Sequence, residues 1–159
     1  MNIVVGVADM KISNDPDSVL VTHSLGSCIG VAVYDRAVHA GGLLHFMLPD
    51  SSIDPAKARQ NPCMFADTGV PFLFKSVYKL GGKKHRMRVV VVGGSHASDA
   101  EAFFKIGKRN YMTVRKIFWR NNVILDYQHV GGNVNRTLRM AVKDGRTWLK
   151  ISGKVELEI

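Results

Sequence analysis

A run of four valines, at residues 89–92, is the feature that most limits how this chain can fold. A strand with one face in solvent alternates apolar and polar residues, whereas an unbroken β-branched run needs apolar neighbours on both faces. Gly93 and Gly94 follow directly and end the strand. The run therefore predicts a central strand of a sheet that other layers cover on both sides.

The other apolar segments predict more strands and two helices. Short β-branched or apolar segments between turn residues predict strands at residues 3–8, 19–22, 29–34, 43–48, 123–130, 137–142 and 147–151. Between the last two, Asp144-Gly145 is typical of a two-residue hairpin turn.

Two segments have the spacing of amphipathic helices. The first covers residues 70–80, with Asp67 or Thr68 as its cap, and the second covers residues 110–120, with Asn110 as its cap. Mixed strands with flanking helices predict an α/β (α+β) fold, a layered sandwich of mixed or antiparallel β-sheets.

Length and composition predict a single domain spanning residues 1–159. The chain has 46% hydrophobic and 22% charged residues, which is typical of a globular protein, and it contains no repeat or linker. No apolar run approaches the roughly 18 residues of a membrane span. The first ten residues lack a basic segment and a cleavage site. These features predict a cytoplasmic protein without membrane insertion.

The net charge is the unusual bulk property. Lys and Arg number 22 against 13 Asp and Glu, which gives +9 and favours an acidic partner: nucleic acid, anionic membrane or an acidic protein surface. The densest basic cluster, residues 83–88, is typical of a solvated strand entry. A nucleic-acid-binding module would rest on charge and on Trp119 and Trp148 alone. No recognisable binding motif accompanies them, so no nucleic-acid partner is expected.

The stretch around Cys28 carries the clearest chemical signal. Cys28 follows a small turn at Gly26-Ser27 and precedes a predicted strand, and His45 lies in the next strand. An antiparallel register that pairs Cys28 with His45 also pairs Gly30 with Leu43 and puts the turn at residues 35–38. Opposed residues share a face, with Cβ atoms roughly 4.5–5.5 Å apart. The register thus allows thiol and imidazole to meet, and a one-residue slip would separate them.

These residue types suit nucleophilic catalysis. A thiolate is the attacking species, and an imidazolium neighbour can lower a cysteine pKa from about 8.5 to roughly 3.5–7.5. The amides around Ser27 and Cys28 could point at a developing oxyanion, and Gly26 permits a tight turn. The hydroxyl of Thr22 could hold the imidazole of His45 in one tautomer.

Other interpretations of the same residues remain open at this stage. Cys28 could fill the core, and His45 could be an ordinary buried histidine. His23 is a competing base but should point to the opposite face from Thr22. A metal site from His23, Cys28 and His45 lacks a clear fourth ligand, and there is no C-x-x-C, so a metal site is not predicted. Cys63 has no histidine near it in sequence and is interpreted as structural.

The motifs L-G-S-C-I-G-V-A-V-Y-D and G-G-L-L-H-F-M-L-P resemble the chemoreceptor glutamine deamidase family, CheD. The resemblance continues through M-F-A-D-T-G-V-P-F-L, I-G-K-R-N and H-V-G-G-N in the same order. It implies a cytoplasmic enzyme that converts receptor glutamines to glutamate without a cofactor. It also implies a fold similar to the deamidase domain of cytotoxic necrotizing factor toxins.

The resemblance assigns roles to the residues that the chemistry had singled out. The nucleophile falls on Cys28, the base on His45 and the orienting hydroxyl on Thr22. The implied partners are methyl-accepting chemotaxis receptors, whose Glu-rich modification helices would give the basic surface a use. Some family members also pair with the CheC phosphatase. A catalytically idle adaptor that binds receptors or CheC is the alternative function.

The chain departs from the family pattern at two places. Ser95 and His96 follow Gly93-Gly94, where family members usually have Ala first. Asn135 stands where many members have glycine, and Asn tolerates left-handed backbone angles better than most residues. Neither change affects the expected catalytic triad of Cys28, His45 and Thr22, but either could alter substrate fit or partner docking.

Overall fold

The computed structural model describes residues 1–96 and 105–159. Its helices are α1 (Pro55–Gln60), α2 (Ala66–Lys79) and α3 (Ile106–Arg120), and short 3-10 turns lie at Ser51–Ile53, Pro62–Met64 and Lys84–Arg86. The strands are β1 (Asn2–Val4), β2 (Asp9–Ser13), β3 (Val19–Leu25), β4 (Ile29–Asp35), β5 (Ala40–Phe46), β6 (Met87–Gly93), β7 (Tyr127–Val130), β8 (Arg136–Ala141), β9 (Thr147–Ile151) and β10 (Leu157–Glu158).

The strands form two five-stranded sheets. The outer sheet has the order β1-β3-β8-β9-β10, and the central sheet has the order β2-β5-β4-β6-β7. Both are mixed, because β1 pairs with β3 and β6 with β7 in parallel while the other neighbours are antiparallel. The α+β sandwich with mixed sheets and flanking helices is therefore confirmed. The specific likeness to the necrotizing factor toxins stays a prediction.

The central sheet is buried on both faces, as the valine run predicts. Val90 and Val92 pack into a core shared with the outer sheet, and Val89 and Val91 pack into a second core. That second core includes α2 and α3, represented by Leu73, Phe74, Val114 and Phe118. Outer sheet, central sheet and helices thus form three successive layers, and one face of the outer sheet stays in contact with solvent.

The predicted register of the β4–β5 hairpin is wrong. His45 lies opposite Gly30, and Asp35 pairs with Ala40, so the loop covers residues 36–39. The shift leaves every side chain on its predicted face, because the displacement is an even number of residues. Cys28 and His45 therefore share a face as diagonal rather than direct neighbours.

Both helices begin earlier than the sequence predicts. At α2, neither proposed residue is the cap: Phe65 takes that position, and Asp67 instead accepts hydrogen bonds from the amide and hydroxyl of Ser51. At α3, Asn110 lies fully buried inside the helix rather than at its start. In both places a polar residue that suits a cap is used for a contact with a distant part of the chain.

Three strand predictions need correction. Strand β1 ends at Val4, and Val7 and Ala8 form a turn at the end of the expected 3–8 strand; strand β2, which follows this turn, was not predicted. Strand β7 covers only the end of the predicted 123–130 segment. The β8–β9 connection has five residues, 142–146, rather than the predicted two, and it is closed by the Ala141 amide, which donates to the Arg146 carbonyl, and by the Ala141 carbonyl, which accepts from the Gly145 amide. Within the described residues, no helix is long and apolar enough to cross a membrane.

Candidate active site

Thr22 and His45 meet in the core between the two sheets. Thr22 lies on β3 of the outer sheet, His45 lies on β5 of the central sheet, and both are fully buried. Thr22 Oγ1 is 2.7 Å from His45 Nδ1. The contact thus joins two residues that are 23 positions apart and belong to different sheets.

The hydrogen bonds of Thr22 determine the tautomer of His45. The Thr22 hydroxyl donates its one proton to the carbonyl of Val5, at 2.8 Å. The same oxygen can then only accept from the imidazole, so His45 Nδ1 carries a proton and donates it. In the neutral ring this leaves Nε2 with its lone pair, and that buried atom has no hydrogen-bond partner among the described residues. His45 therefore presents a proton acceptor.

Cys28 lies on the same face of the central sheet as His45. It directly precedes β4, two positions from the Gly30 that opposes His45, and it packs against the core between the sheets. Cys28 is half-buried, whereas His45 is wholly covered. Part of Cys28 is therefore accessible to an incoming group, while the imidazole stays out of water.

The turn before β4 is held by its carbonyl groups. The Gly26 carbonyl accepts from the Ser95 amide at 2.8 Å, and the Cys28 carbonyl accepts from the Gly94 amide at 3.0 Å. Between them, the Ser27 carbonyl accepts from the side chain of Asn110 at 2.9 Å. In a trans peptide the N–H points away from the C=O, so these bonds fix the direction of the Ser27 and Cys28 amides. In the described residues, the Ser27 amide has no acceptor.

Asn110 connects the turn that carries Cys28 with the end of β5, the strand that carries His45. Its side-chain NH₂ donates to the Ser27 carbonyl and, at 2.8 Å, to the carbonyl of Met47, two residues after His45. Gly107, one turn earlier on α3, allows close packing, since a Cβ there would lie 2.3 Å from the Ser95 carbonyl oxygen. Sequence reasoning missed this role. The available signal was the I-G-K-R-N motif, in which the asparagine was interpreted only as a helix cap.

Both departures from the family pattern lie beside this turn. The Ser95 hydroxyl is buried, donates to the Val134 carbonyl at 2.6 Å and accepts from Arg136 at 2.9 Å. Asn135 does not have a positive φ, so its position does not require glycine. A Cβ at Gly26 would lie 3.3 Å from its Oδ1, a close contact that a small shift of the Asn135 side chain would relieve. Gly26 does not have a positive φ; the left-handed residue nearby is Ser24, with φ of +59°, at the irregularity near the end of β3.

Burial sets the charge state of His45. It lowers the pKa of His45 from its ordinary value of 6.5 to about 4, and the Asp9 carboxylate acts more weakly in the opposite direction. Asp9 lies opposite His45 in the β2–β5 pairing. At neutral pH the imidazole is therefore uncharged. Its free lone pair makes it a proton acceptor, which differs from the imidazolium neighbour that the sequence suggested for Cys28.

This buried neutral imidazole should make folding stability depend on pH. Between pH 6.5 and 4 the unfolded chain binds a proton at His45 and the folded chain does not, so acidification favours unfolding. When the pH falls from 7.5 to 5, we expect this residue to lower the free energy of unfolding by about 2 kcal/mol. Urea unfolding of wild type and His45→Gln at both pH values measures it. Between the two pH values, the free energy of unfolding should fall by about 2 kcal/mol less in the variant than in wild type. Equal falls would contradict the conclusion that His45 is uncharged in the folded protein.

The remaining sequence candidates lie apart from this pair. His23 is exposed, whereas Thr22 beside it is fully buried. Cys63 is buried in the helical core, and burial raises the pKa of its thiol to about 11. Across residues 1–96 and 105–159, no group of three or more His, Cys, Asp or Glu side chains could hold a metal ion.

Comparison with known proteins finds a family model, similar named proteins and a solved structure. The model of the family described as CheD chemotactic sensory transduction matches residues 47–151. A protein of Syntrophus aciditrophicus named probable chemoreceptor glutamine deamidase CheD 1 is 50% identical over 96% of this chain and 95% of its own length. A Solibacter usitatus protein named probable chemoreceptor glutamine deamidase CheD is 48% identical over 96% of this chain and 90% of its own. A crystal structure of a Neisseria meningitidis DUF152 protein covers 82% of this chain and 62% of its own, with 12% identity and a TM-score of 0.48.

Proposed function

Because the chain belongs to the CheD family, we propose that it is a hydrolase that deamidates protein glutamine side chains of chemoreceptors. The observation that carries this proposal is the Thr22–His45 hydrogen bond beside Cys28, which leaves a proton acceptor on the face of the nucleophile. We also propose that residues 1–159 act as one catalytic domain in the cytoplasm.

The first half of the proposed reaction forms a thioester. The sulfur of Cys28 attacks the carboxamide carbon as its proton passes to His45 Nε2. The amides of Ser27 and Cys28, fixed by the bonds to their neighbouring carbonyls, stabilise the oxyanion. The tetrahedral intermediate collapses when His45 returns the proton to the leaving nitrogen. Ammonia departs, and the acyl group remains on Cys28.

The second half hydrolyses the thioester. His45 Nε2 takes a proton from water, whose oxygen attacks the acyl carbon, and the C–S bond then breaks. The proton returns to the sulfur of Cys28, so the net change is glutamine and water to glutamate and ammonia. In each half, Asp9 opposite His45 favours the transient imidazolium, and Thr22 keeps Nδ1 as the donor.

The activity is tested by incubating the protein with the purified cytoplasmic fragment of a chemoreceptor and mapping glutamine-to-glutamate conversion by mass spectrometry. We expect conversion at defined glutamines. Binding of the fragment without any conversion would instead support the catalytically idle adaptor.

Pairing with the CheC phosphatase is a separate proposal that rests on the family resemblance. A pull-down with purified CheC tests it.

A further inference from the structure

The solvent face of α3 carries an unusual concentration of positive charge. Five cations lie on this helix, Lys108, Arg109, Arg115, Lys116 and Arg120, and residues 106–120 contain no carboxylate. Within the described residues, none of the five is in an ion pair. Asp50 is the nearby acidic group, and Arg109 and Lys116 both act on its charge. The face therefore has a large excess of positive charge.

Two large apolar side chains lie among these cations. Met112 is 57% exposed and Trp119 is 82% exposed, although the opposite side of the helix packs Val114 and Phe118 into the core. Exposed tryptophan among cations is typical of an interaction surface, since aromatic residues and Arg are enriched at interfaces. Ile124, 77% exposed, continues the apolar surface just beyond the helix.

The same helix reaches the candidate active site. Asn110 points inward from α3 and binds the carbonyl of Ser27, next to Cys28. At 1.5 Å per residue, Trp119 lies about 14 Å further along the helix axis than Asn110. A segment lying along the exposed face would therefore start close to the catalytic turn, and it would contact about 18 Å of helix between Lys108 and Arg120.

On the basis of the proposed function, we propose that the solvent face of α3 is the docking surface for an acidic segment of the protein substrate, next to the target glutamine. Carboxylates on that segment would meet the cations, and its apolar side chains would contact Met112 and Trp119. A membrane surface fits less well. A helix that lies in a membrane inserts its apolar face, and on α3 that face is already packed inside the protein.

Charge reversal on α3 tests the proposal. Lys116→Glu combined with Arg120→Glu replaces two cations with two anions, so the net charge falls by four, from +9 to +5. The matched control is Lys143→Glu with Lys150→Glu, which makes the same change; Lys143 is exposed in the β8–β9 connection. Lys150 is exposed on β9, where Leu149 faces the core, so it lies on the solvent side of the outer sheet, away from α3.

The readout is kcat/KM for two substrates, a receptor cytoplasmic fragment and a short neutral peptide containing one target glutamine. For the fragment at low salt we expect the α3 variant to lose at least about tenfold, within the range that electrostatic steering produces. For the peptide we expect a change of less than about twofold. The difference should shrink as salt shortens the screening length from ~10 Å at 0.1 M to ~3 Å at 1 M. An equal loss in the control pair, or no loss with the fragment, would overturn the proposal.

Binding measured without chemistry separates this proposal from the proposed function. In the Cys28→Ala background, titration calorimetry with the receptor fragment should show weaker binding after the α3 charge reversal and not after the control reversal. This result would support docking even if wild type deamidated neither substrate, which would refute only the activity. Vesicles containing phosphatidylglycerol form the last arm. Loss of vesicle binding with unchanged fragment binding would assign the surface to a membrane and overturn the proposal.

Discussion

Replacing Cys28 with alanine is expected to abolish conversion of receptor glutamine to glutamate, with a loss of at least ~10⁴-fold in kcat. Without the sulfur no thioester forms, and the remaining amides and imidazole can only position water. Mass spectrometry of the receptor fragment after incubation with wild type and variant measures the loss. Conversion that persists in the alanine variant would exclude Cys28 as the nucleophile.

Cys63→Ala is the matched control for this substitution. Burial keeps the Cys63 thiol protonated at neutral pH, and the side chain packs in the helical core. Its loss should therefore affect stability and not the reaction.

Two further variants test how much His45 and Thr22 contribute to the reaction. His45→Gln should lose nearly as much activity as Cys28→Ala, because the proton acceptor is gone. Thr22→Val should lose less, because only the orientation of the imidazole is affected.

The layer arrangement could be predicted because it depends on local composition. Four valines in succession can all be buried only between two apolar layers. The structure places Val90 and Val91 in different cores. The apolar segment of β4 follows the same logic and lies beside β6 in the middle of the sheet. The pattern did not reveal β2, which is partly exposed at the edge of the central sheet, because an edge strand has no comparable restriction.

The placement of Cys28 relative to His45 could be predicted only as far as the face that they share. Apolar alternation fixes the face on which a side chain lies, but it does not distinguish registers that differ by an even number of residues. The actual register depends on the loop at residues 36–39, in which His39 has a left-handed φ of +48°. Nothing in the local sequence specified that conformation of a histidine.

The contacts that hold the turn before β4 and the candidate base were not predictable from neighbouring residues. Asn110 binds the Ser27 carbonyl across 83 positions of sequence, and Thr22 binds His45 across 23. Asparagine also suits a helix cap, so its local environment favoured the wrong role. Long-range partners of this kind become visible only after the sheets and helices are placed in three dimensions.

Substituting Gly93 with alanine is expected to lower the free energy of unfolding by more than about 4 kcal/mol, a loss found only when a specific structural requirement is violated. A Cβ at Gly93 would lie 2.2 Å from the Cys28 carbonyl oxygen and 3.2 Å from Ile29 Cα. Both are backbone atoms of the neighbouring strand, so no side-chain rotation relieves the clash. Gly93 also has φ of +120°, which L side chains rarely adopt. Urea unfolding at pH 7.5 measures the loss.

Gly153→Ala separates the clash from the cost of the backbone angle. Gly153 has φ of +79°, and a Cβ there would have no atom within 4 Å, so alanine should cost only about 1–2 kcal/mol. The clash at Gly93 must also displace the Cys28 carbonyl from the Gly94 amide that holds it. Folded Gly93→Ala protein should therefore lose deamidation even at temperatures where it is stable, and Gly153→Ala should retain it. Equal loss of stability in the two variants would show that the strand end behind Cys28 can move. The proposal that the turn holds the Ser27 and Cys28 amides rigidly would then be wrong.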